Sequence, residues 1–152
     1  MPFFPSLPDD AGIGHLFKIK PGHREGFGKF SDAVMRDDSV FSIAERELIA
    51  AFTSALNSCD YCYGGHSAIA RQHGVEEGVF ESLVDDINMA PVDDKLKPIL
   101  RFVRKLTLEP YKNNQAAVNA VLSSGCSEKA LADVIYLCSL SAMLNRLVFG
   151  FG

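Results

Sequence analysis

Apolar residues recur at helical spacing along most of this chain. In one segment after another the apolar positions lie three and four residues apart, which is the pattern of a helix that buries one face. No stretch alternates apolar and polar residues over enough positions to indicate a strand. The pattern predicts an all-α protein with short connections. We expect helices at residues 23–35, 43–56, 59–73, 76–84, 93–108 and 114–122, and a long last helix that Ser127 caps.

Two polar motifs define a helical hairpin near the middle of the chain. Ser42 and Glu45 are spaced as a capping box, so that the hydroxyl and the carboxylate can each satisfy a backbone N–H at the start of helix 43–56. Asn57 and Ser58 then interrupt the helical pattern, and we expect the chain to turn back there. The helix that follows should therefore lie beside helix 43–56.

The two ends of the chain differ from this middle. Residues 1–20 are rich in proline and glycine, and we expect them to form an irregular N-terminal arm. The opening sequence MPFFPSLPDD lacks the basic and then apolar run of a secretory signal, so the cytoplasm is the expected compartment. Residues 131–151 are the most apolar stretch, but Asp133, Asn145 and Arg146 interrupt them. This predicts a core helix and not a membrane span.

The composition is that of an ordinary globular chain. Apolar residues make up 47% and charged residues 22% of the 152 residues, which predicts one domain over residues 1–152 with a hydrophobic core of its own. The formal net charge is −4 and the basic residues are scattered, which argues against a nucleic-acid partner or an anionic membrane surface. Four cysteines are too few for a disulfide scaffold, so their spacing becomes the informative feature.

Cys59 and Cys62 have the C-x-x-C spacing, which in a reducing compartment indicates redox chemistry or metal binding. In a helix, Cys59, Cys62 and His66 share one face because they lie at offsets of three and seven residues. The positive end of the helix dipole favours a thiolate in the first turn. His66 can accept the proton of a thiol, and the other thiol can convert a sulfenic acid to a disulfide. These parts suffice for the reduction of a peroxide.

Glu47 is a further candidate residue. Its helical neighbours three and four positions away are all apolar, so we expect it to be buried where helix 43–56 meets the cysteine helix. Burial would raise the pKa of its carboxyl group, and such a group can relay protons near neutral pH. Gly64 and Gly65 are costly in a helix interior, which predicts that another element packs closely against them.

Glu47, Cys59, Cys62 and His66 together give the signature E-x11-C-x-x-C-x3-H. This arrangement resembles that of the AhpD-like proteins of the carboxymuconolactone decarboxylase superfamily. The resemblance covers residues 41–75, whose sequence FSIAERELIAAFTSALNSCDYCYGGHSAIARQHGV is similar to the core helical hairpin of that family. It implies an AhpD-like helical bundle built around the hairpin that carries the C-x-x-C pair.

The resemblance also implies an activity and a set of roles. It implies an alkylhydroperoxidase-like enzyme that reduces a hydroperoxide while Cys59 and Cys62 cycle through a disulfide, with an external thiol or dithiol as electron donor. In that family the second cysteine attacks, which would make Cys62 peroxidatic and Cys59 resolving; the helix dipole alone favours Cys59 as the attacking thiol. His66 and Glu47 would form the proton relay.

The family's assembly and variation add further expectations. The resemblance implies a homo-oligomer, which could be a trimer, a dimer or a hexamer. It implies no bound cofactor and no metal ion. One departure from the family lies between the cysteines, where some members carry histidine and this chain has Tyr61.

Other interpretations of the same residues stay open at this point. The cysteine pair could be structural, or it could bind zinc together with His66 and His73, although zinc sites usually draw ligands from two separated pieces of chain. A γ-carboxymuconolactone-type decarboxylase on the same fold would need proton-transfer groups and a cation to bind an anion, and would have no use for the C-x-x-C pair. A non-enzymatic oligomer could use the two thiols as a redox switch.

Overall fold

The computed structural model describes residues 2–152, and in this range the chain forms eight α-helices and no strand. A single 3-10 turn, Pro110–Lys112, lies between the sixth and seventh helices. Each helix predicted from the sequence is present, and the all-α class is confirmed. In chain order the helices are α1 (Ile13–Ile19), α2 (Pro21–Arg36), α3 (Ile43–Leu56), α4 (Asp60–Gln72), α5 (Gly78–Asp85), α6 (Leu96–Leu108), α7 (Gln115–Leu122) and α8 (Glu128–Phe151).

Helix α3 is the centre of the bundle. Nine consecutive residues from Arg46 to Ser54 are buried, so the helix is enclosed on all sides, as expected of a helix that lies within a core. Helices α2, α4, α5, α6 and α8 pack around it. The predicted capping box fixes its start: the Glu45 N–H donates to Ser42 Oγ at 3.2 Å, and the Ser42 N–H donates to Glu45 Oε2 at 2.7 Å.

The turn between α3 and α4 is a Schellman motif. The Cys59 N–H donates to the Ser54 carbonyl and the Ser58 N–H donates to the Ala55 carbonyl, both at 2.9 Å. These two bonds close a helix when the residue after its cap is left-handed. Ser58 is that residue, with φ of 56°, and within residues 2–152 no other non-glycine residue has a positive φ. The reversal lays α4 beside α3, which confirms the hairpin predicted from the break in the pattern.

The irregular N-terminal arm predicted over residues 1–20 is wrong in its second half. Residues 13–19 form α1, while turns and bends precede it; Met1 lies outside the described residues. Ile13, Leu16 and Phe17 have helical spacing and are half-buried. The Phe17 ring stacks on that of Phe27 in α2, with ring centroids 4.9 Å apart. Packing on α2 therefore outweighs the local content of glycine and proline.

Helix α8 supplies a long wall of the core. Its buried face packs on α3 and α6, as predicted for residues 131–151, and includes Leu131, Val134, Leu137, Cys138 and Leu140. By length and composition alone α8 could also cross a membrane, and 33% of the apolar window is buried in the chain.

The close packing predicted at Gly64 and Gly65 is absent from this chain. A Cβ atom built at either position would meet no atom within 4 Å among the described residues. Both glycines lie on the exposed side of α4. Among residues 2–152, no close packing offsets the cost of these two glycines to the helix.

Two glycines of the same helical segment should respond to alanine in opposite ways. Gly65→Ala should raise the free energy of unfolding by up to about 1 kcal/mol, because alanine favours the helix and its Cβ meets open space. Gly74→Ala should lower it by about 1 kcal/mol or more, because Gly74 ends α4 with φ of 95°. Urea denaturation of both variants measures these changes. A loss of stability in Gly65→Ala would contradict the open surface and indicate a second copy packed on it.

Candidate active site

Helix α4 begins at the C-x-x-C pair. Cys59 is the N-cap, and Cys62 lies in the first turn. The two residues are buried, with 2% and 8% of their surface exposed, and both are free thiols. The Cys59 thiol disfavours negative charge on the Cys62 sulfur and raises the pKa of Cys62, so the two thiols interact. The structure therefore places two free, buried thiols at the start of one helix.

The surroundings of Cys62 keep its thiol protonated. Burial, reinforced by the contact with the Cys59 thiol, raises the pKa of Cys62 to about 12, although the Asn145 side chain acts in the opposite direction. The prediction that the helix dipole yields a thiolate in this first turn is therefore wrong for Cys62, because burial opposes charge more strongly. Since a neutral thiol is a weak nucleophile, any reaction at this sulfur needs a base.

The carboxylate of Glu47 connects three helices. It is fully buried, with 0% of the residue exposed, which confirms the burial expected from its apolar neighbours. His66 Nδ1 lies 2.7 Å from Glu47 Oε2, and Arg36 Nη2 donates to Glu47 Oε1 at 2.5 Å. Arg36 is the last residue of α2, Glu47 belongs to α3 and His66 to α4. The structure thus brings Glu47 and His66 together, as predicted, and adds Arg36.

The predicted rise in the pKa of Glu47 does not occur. Burial alone raises the pKa of this carboxyl, but the hydrogen bonds and charges of His66 and Arg36 outweigh burial and hold the pKa below its ordinary value. Glu47 is therefore an anion at neutral pH and holds no proton to pass on. Because the carboxylate can only accept a hydrogen bond, Nδ1 of His66 carries a proton, and Nε2 is the ring nitrogen that Glu47 does not hold.

A second buried polar group lies on the other side of the cysteine pair. Asn145 of α8 is 1% exposed, and its side chain favours negative charge on the Cys62 sulfur, which acts to lower the pKa of Cys62. Its Nδ2 donates to Ser54 Oγ at 3.0 Å, and its Oδ1 accepts from Asn57 Nδ2 at 2.9 Å. Asn145 thereby connects α8 to the end of α3, directly beside the turn that carries Cys59.

Sequence reasoning missed both Arg36 and Asn145. Arg36 could have been found from the rule that a buried carboxylate needs a cation, because a basic residue at the end of the preceding helix was available. Asn145 was visible only as a polar interruption in an apolar helix. A polar side chain that interrupts a core helix must be hydrogen-bonded, and this requirement was the available signal.

Tyr61 faces away from the protein interior and holds the N-terminal segment. It is 53% exposed, and its hydroxyl oxygen accepts a hydrogen bond of 3.1 Å from the N–H of Ile13, the first residue of α1. It also lines an apolar pocket of about 170 Å³ together with Leu16, Val148 and Phe151. Tyr61, one of the two residues between the cysteines, thus forms a contact between α1 and α4.

The remaining candidates lie apart from this site. His73 is the exposed C-cap of α4. Among residues 2–152, no three side chains of His, Cys, Asp or Glu are grouped so that they could hold a metal ion. Cys138 is buried in the core, where its sulfur lies 3.3 Å from Thr107 Oγ1. Burial, aided by Asp133, raises the pKa of the half-buried Cys126.

Removal of the Glu47 charge should weaken the fold in a pH-dependent way. The pKa of Glu47 in the folded chain lies below its ordinary value of 4.5. The charge therefore stabilises the fold fully above pH 4.5, and this stabilisation is lost as the pH falls through the pKa of the folded chain. Glu47→Gln should therefore lower the free energy of unfolding by about 2 kcal/mol at neutral pH. Below the ordinary pKa of 4.5, the difference in the free energy of unfolding between this variant and the wild type should become smaller.

Urea denaturation at pH 7 and pH 3 checks this expectation. Glu25→Gln is the control, because the Glu25 side chain is 79% exposed in its ion pair with Lys29 and such surface pairs contribute little. A loss in Glu47→Gln that is equal at both pH values would contradict the assignment of an anionic carboxylate.

Comparisons with known proteins bear on this fold and motif. Residues 21–85, which include α2 to α5 and all four motif residues, match the model of the carboxymuconolactone decarboxylase family. No curated protein sequence matches the chain significantly. The match thus covers the helical hairpin and its flanking helices.

Solved structures share the whole fold. A structure described as the alkylhydroperoxidase AhpD core, an uncharacterized peroxidase-related protein from Ralstonia eutropha JMP134, aligns with a TM-score of 0.81 and 23% identity over 99% of this chain and 90% of that one. An uncharacterized peroxidase-related protein from Silicibacter sp. TM1040 aligns with a TM-score of 0.78 and 24% identity over 97% of this chain and 85% of that one. The chain thus has the fold of the AhpD core, and its residues 21–85 are similar to the carboxymuconolactone decarboxylase family.

Proposed function

We propose that this chain is a thiol-dependent hydroperoxide reductase that cycles Cys59 and Cys62 through a disulfide. One observation carries the proposal: two buried thiols lie in the first turn of one helix, one turn before a histidine whose Nδ1 lies 2.7 Å from a buried carboxylate. This combination supplies a nucleophile, a resolving thiol and an oriented base, which are the groups that reduction of a peroxide by thiols requires.

The first step oxidises Cys62. Nε2 of His66 takes the thiol proton, and the thiolate attacks one peroxide oxygen of the substrate ROOH. An S–O bond forms while the O–O bond breaks. The departing alkoxide takes a proton from His66, so the products are an alcohol and the sulfenic acid of Cys62. Glu47 compensates the positive charge that His66 carries between these two proton transfers.

The second step closes the disulfide. The sulfur of Cys59 attacks the sulfur of the Cys62 sulfenic acid, an S–S bond forms, and the S–O bond breaks. The thiol proton of Cys59 and the departing hydroxide leave as water. An external thiol or dithiol then reduces the disulfide by exchange and restores both thiols. The sum is one hydroperoxide and two reducing equivalents converted to an alcohol and water.

Three observations favour Cys62 as the attacking sulfur. It is the more exposed of the two cysteines, at 8% against 2%. It lies four residues before His66 in the same helix, which places the two side chains on one face. It also has the Asn145 side chain as a neighbour, which favours negative charge on the sulfur. Cys59, at the sealed N-cap, is suited to the resolving role.

The proposal extends to assembly and compartment. The chain acts as a homo-oligomer in the cytoplasm, as a trimer, a dimer or a hexamer, and sedimentation velocity distinguishes these sizes. Support for assembly comes from apolar side chains that the single chain leaves exposed on α2 and α8, namely Phe30, Ile135, Tyr136, Met143 and Phe149.

Treatment of the reduced chain with tert-butyl hydroperoxide or hydrogen peroxide tests the function. We expect loss of two of the four free thiols and a single Cys59–Cys62 disulfide, detected by peptide mass spectrometry. Cys59→Ser should stop at a sulfenic acid on Cys62 that dimedone traps, whereas Cys62→Ser should give no product at Cys59. Cys126→Ser is the matched control and should behave as the wild type. If peroxide leaves Cys59 and Cys62 free, the proposal is contradicted.

The same variants separate the alternative functions. A decarboxylase of the γ-carboxymuconolactone type would retain its activity in Cys59→Ser and Cys62→Ser. Arg36 beside Glu47 is committed to that carboxylate and to the Met35 carbonyl, which argues against its use as an anion-binding group. Slow turnover with dihydrolipoamide, thioredoxin and glutathione alike, together with an oligomer that changes on oxidation, would instead indicate a redox switch.

A further inference from the structure

The turn between α3 and α4 places Cys59, and the backbone of this turn is strained at one residue. Ser58 takes the left-handed conformation with φ of 56°, which costs free energy in most residues other than glycine. Such a conformation persists only where the surrounding structure holds it. The Cys59 N–H donates to the Ser54 carbonyl at 2.9 Å, so the position of Cys59 also depends on that of Ser54.

A side chain from the last helix holds this turn at two points. Asn145 of α8 is 1% exposed. Its Nδ2 donates to Ser54 Oγ at 3.0 Å, and its Oδ1 accepts from Asn57 Nδ2 at 2.9 Å. Ser54 lies in the last turn of α3, and Asn57 is the C-cap of that helix. The two hydrogen bonds therefore fix the segment from which the chain turns towards Cys59.

The carboxamide of Asn145 is suited to this task because it offers a donor and an acceptor at a fixed spacing. Most buried residues of α8 are apolar and can pack on α3 in many similar ways. A buried amide is costly unless its partners lie in the right places, so it selects the one arrangement in which both hydrogen bonds form. Asn145 thus makes the position of the turn more specific than apolar packing alone would.

We propose that Asn145 is a positioning residue for Cys59: by holding Ser54 and Asn57, it keeps the turn where the Cys59 sulfur can bond to that of Cys62. Asn145 exchanges no atom in this step. A disulfide has a narrow range of geometry, so a small displacement of one cysteine weakens or prevents the bond. The ease with which two groups react depends in the same way on how precisely the fold places them.

This inference deepens the proposed function and rests on it for its meaning in catalysis, because the disulfide is an intermediate of that reaction. The placement of Cys59 can nevertheless be measured without peroxide. Oxidised glutathione takes two electrons from the Cys59 and Cys62 thiols: an S–S bond forms in the chain, the S–S bond of glutathione breaks, and the two protons leave on two glutathione thiols. The equilibrium constant of this exchange reports how well the fold places the two sulfurs.

The test equilibrates the full chain at pH 7 with mixtures of oxidised and reduced glutathione. After an acid quench and alkylation, mass spectrometry of the tryptic peptide 47–71, which contains both cysteines, gives the disulfide fraction. Asn145→Ala should lower the equilibrium constant by roughly tenfold, less than the effect that a misplacement of about 1 Å has on a reaction. At this pH the Cys62 thiol, whose pKa is about 12, is protonated, so its charge does not enter the comparison.

Two further variants each remove one of the two hydrogen bonds and leave Asn145 in place. Asn57→Ala and Ser54→Ala should each lower the equilibrium constant by roughly threefold or more, as expected from the loss of one hydrogen bond that holds the turn. Asn57 is only half-buried, so Asn57→Ala also tests the inference if Asn145→Ala does not fold.

Ser141→Ala is the matched control. Ser141 lies one turn earlier in α8, is equally buried at 1%, and donates to the Leu137 carbonyl of its own helix at 2.9 Å. Its loss should change stability but leave the glutathione equilibrium constant within about twofold of that of the wild type. A wild-type constant in Asn57→Ala and in Asn145→Ala, an equal decrease in Ser141→Ala, or a wild type that forms no disulfide with glutathione would overturn the inference.

Peroxide treatment keeps this inference separate from the proposed function. If the variants weaken the disulfide formed with glutathione, but peroxide leaves both wild-type thiols free, the positioning role stands and the reductase proposal fails. If peroxide forms the disulfide in the wild type, and the variants share its glutathione equilibrium constant, the reductase proposal stands and the positioning role fails.

Discussion

The buried carboxylate of Glu47 is the interaction on which the rest of the site depends. A charge enclosed in the central helix must be compensated, and Arg36 and His66 do so from the two neighbouring helices. These two contacts connect α2, α3 and α4 at one point. The carboxylate also selects the imidazole tautomer, because it can only accept a hydrogen bond and Nδ1 must therefore carry a proton. The same two contacts therefore compensate the buried charge and orient the base of the chemistry that we propose.

The cysteine pair is held in a different electrostatic environment. Both sulfurs are buried, and burial together with the Cys59 thiol opposes ionisation of Cys62. A protonated thiol resists unwanted electrophiles, and in the function that we propose it reacts once His66 takes its proton. Glu47 of α3 holds the imidazole of His66 on α4, so the reactivity we propose belongs to the folded bundle and not to the cysteine motif alone.

Local patterns in the sequence were enough to predict the hairpin. The capping box of Ser42 and Glu45 and the break at Asn57 and Ser58 involve residues within a few positions of each other, and each was found where expected. The burial of Glu47 and its proximity to His66 also followed from helical spacing. These features depend on near neighbours, which a single sequence displays.

Features that depend on distant residues were missed, or the direction of their effect was predicted wrongly. The pKa of Glu47 was expected to rise because its burial was predicted and its partner Arg36 was not. Asn145 lies 88 residues from Asn57, and only the packing of α8 on the hairpin brings them together. Helix α1 forms because Phe17 packs on Phe27, and the packing expected at Gly64 and Gly65 does not occur within this chain.

The pH dependence of Cys62 oxidation by peroxide tests the central claim most directly, namely that Glu47 holds His66 as the base for a protonated thiol. We expect the wild type to react at a measurable stopped-flow rate at neutral pH, far below the titration range of the Cys62 thiol, whose pKa is about 12. His66→Gln should be slower by roughly a hundredfold or more and should gain rate only in alkali, while the exposed His73→Gln should match the wild type. A His66→Gln variant with the rate and pH dependence of the wild type would contradict the account.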